Sequence, residues 1–287
     1  MLGANSYGEQ GIRLVRVVRG TERDELHDLT VQVRLEGDFA AVYLAGDNAA
    51  VLPTDTMRST VYALARQHPP EELEDFGALL ASHFLAASPA ARHAWVRLAR
   101  HPWAPVEVGG APHPHAFSRG AGGEVRTAEV VAHCGQDRPE VASGLDGLEL
   151  LKTTGSAFEG FLKGRYTVLE ETSERLLATA VSARWSYGRP AAWSSCRVRV
   201  RQALLATFAA HDSRSLQHSL YAMGAAALDA CPEVARITLA LPNRHHLLAD
   251  LHPFGLDNPN EVYVATDRPF GLIEGTVERG APLPAAP

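Results

Sequence analysis

The residues with most chemistry to offer are spread along the chain rather than gathered in one motif. Thr54 and Asp55 stand in V-L-P-T-D-T-M, residues 51–57. Pro53 fixes its own φ and keeps Leu52 extended, so Thr54 or Asp55 can cap a helix beginning near Thr56. By itself a T-D-T stretch is an ordinary helix start. Arg175, in E-T-S-E-R-L-L, is either an exposed ion-pair partner or a ligand-binding group at the mouth of a long alternating segment. Gln217 falls between Leu216 and His218 at a helix start, where the default is a solvated amide. Together an arginine fork and a glutamine amide can grip the edge of a planar heterocycle bearing carbonyls and N–H groups. Phe158, in T-T-G-S-A-F, is either core or the face on which such a ring stacks. Asn243 and His245-His246 follow in L-P-N-R-H-H, where one histidine would be exposed and the other packed. An imidazole there titrates in the range a proton relay needs. His113 and His115 flank Pro114 on an expected extended loop, with no obvious third ligand for a metal.

These residues need elements to hold them. Residues 27–36 alternate Leu29, Val31, Val33 and Leu35 against Thr30, Gln32, Arg34 and Glu36, the pattern of a half-buried antiparallel strand. A turn at 36–38 should lead into another strand over 39–45, after a first strand over 11–19. A helix over 56–67 is stopped by Pro69-Pro70, and a second begins near Glu71 with Leu73, Phe76, Leu80 and Phe84 as its buried stripe. Strands over 94–100 and 124–133 flank a Gly- and Pro-rich connection. The second half repeats the plan: strands over 140–152 and 175–187, helices over 197–210 and 213–230, then strands over 236–241, 246–251, 261–266 and 272–278. T-V-Y-A-L-A at 60–65 resembles S-L-Y-A-M-G at 219–224, an expected repeat on equivalent helices. Two such repeats make an α+β protein, an antiparallel sheet with helices on one face, divided into residues 1–138 and 139–287. The last eight or so residues read as a disordered tail.

Composition narrows the function. The 287 residues are 46% hydrophobic and 21% charged, as in a globular protein, with net charge −6 and no basic block for nucleic acid. No apolar run approaches a membrane span, and the N-terminus lacks the pattern of a secretory leader. Cys134, Cys196 and Cys231 are too few for a disulfide framework, which points to a reducing cytoplasm, and the C-terminus is not S-K-L. No dinucleotide turn, P-loop or spaced Cys/His set calls for a cofactor or metal.

In order, N-x-Y-G, L-P-T-D-T-M, G-x-P-H-P-H-A-F, L-K-T-T-G-S-x-F, L-Q-H-x-L-Y-A-M-G and L-P-N-x-H-H make the sequence resemble the urate oxidase (uricase) family along nearly its whole length. The resemblance implies tandem T-fold (tunnelling-fold) domains whose open sheet closes into a barrel by oligomerisation, in a homotetramer with active sites at subunit interfaces. It implies oxidation of urate by O2 and water to 5-hydroxyisourate and hydrogen peroxide without metal or organic cofactor. Arg175 and Gln217 match the family's urate clamp, Phe158 its stacking ring, and Leu216 the residue whose backbone helps hold the substrate. Thr54 and Asp55 match residues donated by a neighbouring chain. Asn243 and His245 match those above the ring, with His245 and Thr54 relaying protons.

One departure stands out. The family motif Y-G-K supplies a lysine to the relay, whereas this chain reads Tyr7-Gly-Glu9, and its only lysines are Lys152 and Lys163. An anion beside Thr54 disfavours anionic urate and a deprotonated hydroxyl. The alternatives are a weakened enzyme, Glu9 acting as the base, or a urate-binding protein that no longer turns over. A T-fold enzyme for another purine or pterin, with a metal, is a further alternative. On sequence alone, Glu9→Lys is expected to raise turnover.

Overall fold

Strict alternation over 29–35 makes Leu29, Val31, Val33 and Leu35 a buried row, and the strand that carries it is the second of the first unit's sheet. In the computed structural model, residues 1–119, 123–266 and 268–280 are described, and the chain divides into units Met1–Gly144 and Leu145–Pro287. The first unit runs β1 (Ser6–Val18), β2 (Glu25–Gly37), α1 (Ala40–Ala45), α2 (Thr54–Gln67), α3 (Leu73–Ala87), β3 (Ala91–His101), β4 (Ala104–Val108), β5 (Ala111–Ser118) and β6 (Val125–His133). Strand β7 (Glu140–Lys152) crosses the boundary. The second unit continues with β8 (Leu177–Tyr187), α4 (Trp193–Ala210), α5 (Leu216–Ala230), β9 (Val234–Arg244), β10 (His246–Leu248), a 3-10 turn (His252–Phe254), β11 (Tyr263–Ala265) and β12 (Gly271–Glu278).

The strand order is β1-β2-β3-β6 in the first unit and β7-β8-β9-β12 in the second. The registered pairs β1–β2, β2–β3, β3–β6, β8–β9 and β9–β12 are all antiparallel. Each unit packs its second long helix on its last two strands. The protein is therefore α+β. In α3 the expected stripe Leu73, Phe76, Leu80 and Phe84 is fully buried, each side chain contributing roughly 1.5–3 kcal/mol. Its second unit counterpart, α5, buries Leu216, Leu220, Met223 and Ala227. Both helices need a glycine against the last strand in their unit's order. A Cβ on Gly77 would lie 2.7 Å from Val130 Cγ2, and one on Gly224 would lie 2.6 Å from Val277 Cγ2. That makes α3 and α5 the equivalent pair. The resembling hexapeptides at 60–65 and 219–224 fall on α2 and α5 instead, so that match is not the repeat.

Several local expectations change. Residues 39–45 are not a strand: β2 pairs with β1 and β3, and A-A-V-Y-L-A forms α1, ended by Gly46 at φ +67°. Alanine-rich composition followed by a left-handed glycine favours a short helix over a strand. Phe39 anchors it, buried with its ring edge-on to Tyr7 at 4.8 Å. Helix α2 begins at Thr54, two residues early, with Pro53 at the N-cap position and no side-chain cap. The Gly- and Pro-rich connection holds the hairpin β4–β5, turned by Gly109 and Gly110 at positive φ, as such hairpins require. His113 and His115 lie on β5 with their rings edge-to-face at 4.5 Å. Among the described residues no three His, Cys, Asp or Glu side chains converge as a metal would need. Cys196 and Cys231 are not separate thiols. The packing of α4 against α5 brings their Cα atoms to 5.9 Å and they form a disulfide, while Cys134 is free and exposed. Among the described residues no helix is long and apolar enough to cross a membrane. The expected tail beyond Gly280 lies outside the described residues.

Candidate functional site

Two places in the fold hold the singled-out residues, one in each unit. In the second unit, backbone hydrogen bonds gather three separate segments. Phe158 N–H donates to Thr172 O at 2.7 Å, Thr172 N–H returns to Phe158 O at 3.1 Å, and Arg175 N–H donates to Ser156 O at 2.9 Å. The Arg175 guanidinium carbon then lies 5.2 Å from the centre of the Phe158 ring, and Nε donates to Ser156 Oγ at 3.3 Å. Arg175 is half-buried, and burial lowers its pKa from the ordinary value; among the described residues no carboxylate pairs with it. A half-buried guanidinium without an anion is poised for one. Phe161 lies parallel against Phe158 at 4.9 Å and 14°, so the Phe158 ring is held between neighbours from its own loop.

The same loop is tied to the start of α5. Ser213 N–H donates to Gly155 O at 2.9 Å and Ala157 N–H to Ser213 O at 2.7 Å. The Ser213 hydroxyl donates to Ser215 O at 3.0 Å and accepts from Ser219 Oγ at 2.7 Å. Ser215 caps α5 by accepting from His218 N–H at 3.1 Å. Ser156, Ser213 and Ser219 are all buried, so these small hydroxyls form a dry joint between the Arg175 loop and the helix. Lys152 Nζ fastens the approach by donating to His211 O. Burial, first, lowers the Lys152 pKa, opposed by the charges of Asp212 and Glu174. The cap satisfies His218, leaving the Leu216 and Gln217 N–H groups, first in the helix, without intrahelical partners. Leu216 is buried and Gln217 is exposed.

Asn243 and His245 sit at the end of β9. Asn243 is opposite Thr179 of β8, and Arg244 is opposite Ala178. That register puts His245 level with the start of β8, two residues after Arg175. The His245 carbonyl accepts Thr266 N–H at 2.9 Å and Thr266 Oγ1 at 3.1 Å, and Asn243 and His245 are both half-buried. The six second-unit residues singled out in the sequence thus come from neighbouring segments.

Thr54 and Asp55 belong to the first unit. Thr54 is half-buried at the first position of α2, and Asp55 is exposed in its first turn, where the helix dipole favours an anion. The start of β1 is held against this turn. Tyr7 Oη accepts Leu52 N–H at 3.0 Å, and burial is the main cause raising the Tyr7 pKa, which keeps the phenol neutral. Two residues on, Glu9 precedes a bulge, where Gly11 at φ +70° supplies the left-handed residue and the register shifts before Ile12. Glu9 Oε1 lies 3.8 Å from Arg58 Nη1, and Arg58 also pairs with Asp55. Sequence reading missed Arg58, Phe161 and the serine joint. The i, i+4 spacing of Thr54 and Arg58 and the F-x-x-F of 158–161 were signals for the first two; the joint had none, because its members are 63 positions apart at the extremes, Ser156 to Ser219.

Fold and residues together define a class, an α+β protein of two similar four-stranded units with an unpaired arginine set against an aromatic ring. A family model described as Uricase matches residues 5–131 and 141–274. The chain is 46% identical over 283 residues to the uricase of Arthrobacter globiformis, covering 97% of this chain and 90% of that one. It is 34% identical over 279 residues to the uricase of Dictyostelium discoideum, covering 96% of each. The crystal structure of uricase from Arthrobacter globiformis superposes with a TM-score of 0.90 at 43% identity, covering 100% of this chain and 98% of that one. The chain belongs to the uricase family.

Proposed function

We infer that the protein oxidises urate, and the observation that carries this reading is the half-buried Arg175, without a carboxylate partner and set over the Phe158 ring. Family membership supports the same substrate. In the proposed reaction urate gives two electrons to O2, water supplies the new hydroxyl, and the products are 5-hydroxyisourate and hydrogen peroxide. No metal or organic cofactor takes part. Arg175 and Gln217 hold one edge of the purine by paired hydrogen bonds, the Leu216 N–H assists, and Phe158 takes its face. Asn243 binds O2 or water above the ring. His245 and Thr54 move the protons, and Asp55 meets the five-membered ring.

Thr54 and Asp55 are proposed to come from a neighbouring subunit of a homotetramer. Two tandem T-fold repeats, meeting near residues 138/139, would close into a barrel with copies of themselves. The edge strands support this reading: β1 exposes Val15 and Val17, and β12 exposes Leu272, an apolar rim that bare sheet edges avoid.

Purified protein mixed with urate in air should bleach the urate absorbance and release an equal amount of peroxide. Chelator should leave the rate unchanged; loss of activity would point to a metal-dependent T-fold enzyme for another purine or pterin. Glu9 favours a second reading, a urate-binding protein with impaired turnover. Saturable urate binding without peroxide would establish that reading and overturn the first.

A further inference from the structure

The carboxylate at position 9 does not stand alone. Its nearest charged neighbour is a guanidinium 3.8 Å away, carried on the same helix as Thr54. Thr54 and Arg58 are one turn apart on α2, so their side chains share a face. Two fixings bring Glu9 to that face. The Tyr7 hydroxyl holds Leu52 N–H, and the bulge at Gly11 re-aims the strand just after Glu9. Arg58 in turn is held on both sides, by Glu9 and by Asp55 in the first turn. One cation is therefore shared between two anions on the helix that begins at Thr54.

We propose that Arg58 is a positioning residue for the Thr54 corner: it supplies the positive charge that position 9 lacks, and Glu9 keeps it aimed there. This rests on the urate reading above. The two residues act as one unit, so Glu9 is an anchor for Arg58 rather than an uncompensated anion. A lysine at position 9 would face the guanidinium at about 4 Å, close enough for like charges to push it aside. The expectation drawn from sequence alone, that Glu9→Lys raises turnover, is thereby reversed.

The test is a charge-swap cycle on the full-length protein, reading kcat, KM, urate affinity without oxygen, and Tm. Arg58→Gln should lower kcat/KM and weaken urate binding by about tenfold, the scale of one lost charge interaction at a site. Arg58→Lys should restore most of the loss. Because the pair is partly exposed, Tm should barely move, which separates this role from a structural one. Glu9→Gln combined with Arg58→Gln should be no worse than Arg58→Gln alone, since coupled residues are not additive. Glu9→Lys should lose activity, and Glu9→Lys with Arg58→Glu should recover part of it. A gain from Glu9→Lys alone, additive losses, or an unaltered Arg58→Gln protein would each overturn the proposal. If the parent protein binds urate but releases no peroxide, the oxidase reading fails by itself, and the anaerobic affinities still decide whether positions 9 and 58 are coupled.

Discussion

The two units share a plan but hold their functional residues by different means. In the second, Arg175, Phe158 and the start of α5 are locked by main-chain bonds and by buried Ser156, Ser213 and Ser219. In the first, Thr54 and Asp55 sit on an exposed helix start, organised by long charged side chains, Glu9 and Arg58. Short buried hydroxyls fix distances because they have few rotamers and no water to compete with. Exposed ion pairs set charge more than position, since solvent screens them and long side chains keep their freedom. The Arg175 and Phe158 arrangement is thus fixed within its own unit by short buried contacts, whereas the Thr54 corner is organised by exposed charge.

This contrast can be broken at its strongest point. Arg175→Ala should cut kcat/KM roughly a hundredfold to a thousandfold, the cost of truncating a buried charge partner, with Arg175→Lys recovering little. Steady-state kinetics on both variants check it, and a Lys variant near parental activity would remove the argument for a bidentate grip. Next in size is the joint. Ser213→Ala should destabilise the fold by about 1–3 kcal/mol and raise the urate KM more than it lowers kcat, because the hydroxyl both donates and accepts in a buried place. Urea melts and kinetics read the two effects together.

The equivalence of the units can be sharpened with their matched glycines. Gly77→Ala and Gly224→Ala should each cost roughly 1–3 kcal/mol through overpacking against Val130 and Val277. Similar losses in thermal melts would support the pairing of α3 with α5; a loss in one only would not. The smallest effect is on pH. Burial, with help from the Arg100 charge, lowers the His27 pKa below 6.5. Above pH 6.5 both folded and unfolded chains carry a neutral imidazole and nothing changes. As pH falls below 6.5 the unfolded chain takes up a proton that the folded one refuses, so stability declines until the lowered pKa is passed. His27→Gln should flatten that part of a melting-temperature profile taken from pH 8 to 5.

Much of the scaffold was legible because periodicity is local. Alternation over 27–36 and the stripe of Leu73, Phe76, Leu80 and Phe84 declare which face is buried whatever the rest of the chain does. Residues 39–45 misled because a short apolar run fits strand or helix, and only Gly46 distinguished them. The hairpin within 104–118 was hidden by its Pro and Gly content. The Arg175, Gln217 and Phe158 readings stayed open on residue type alone, and the motif order suggested their partnership.

By itself the sequence determined the alternating faces, most of the long strands and helices, and the family. Only the tertiary structure decided that Ser213 joins Gly155 to α5, that Cys196 meets Cys231, and that Glu9 finds Arg58. Each of those contacts closes a loop of 35 or more residues. Partners that distant meet only after the intervening strands and helices have packed, and no local pattern of residues records where that packing will bring them.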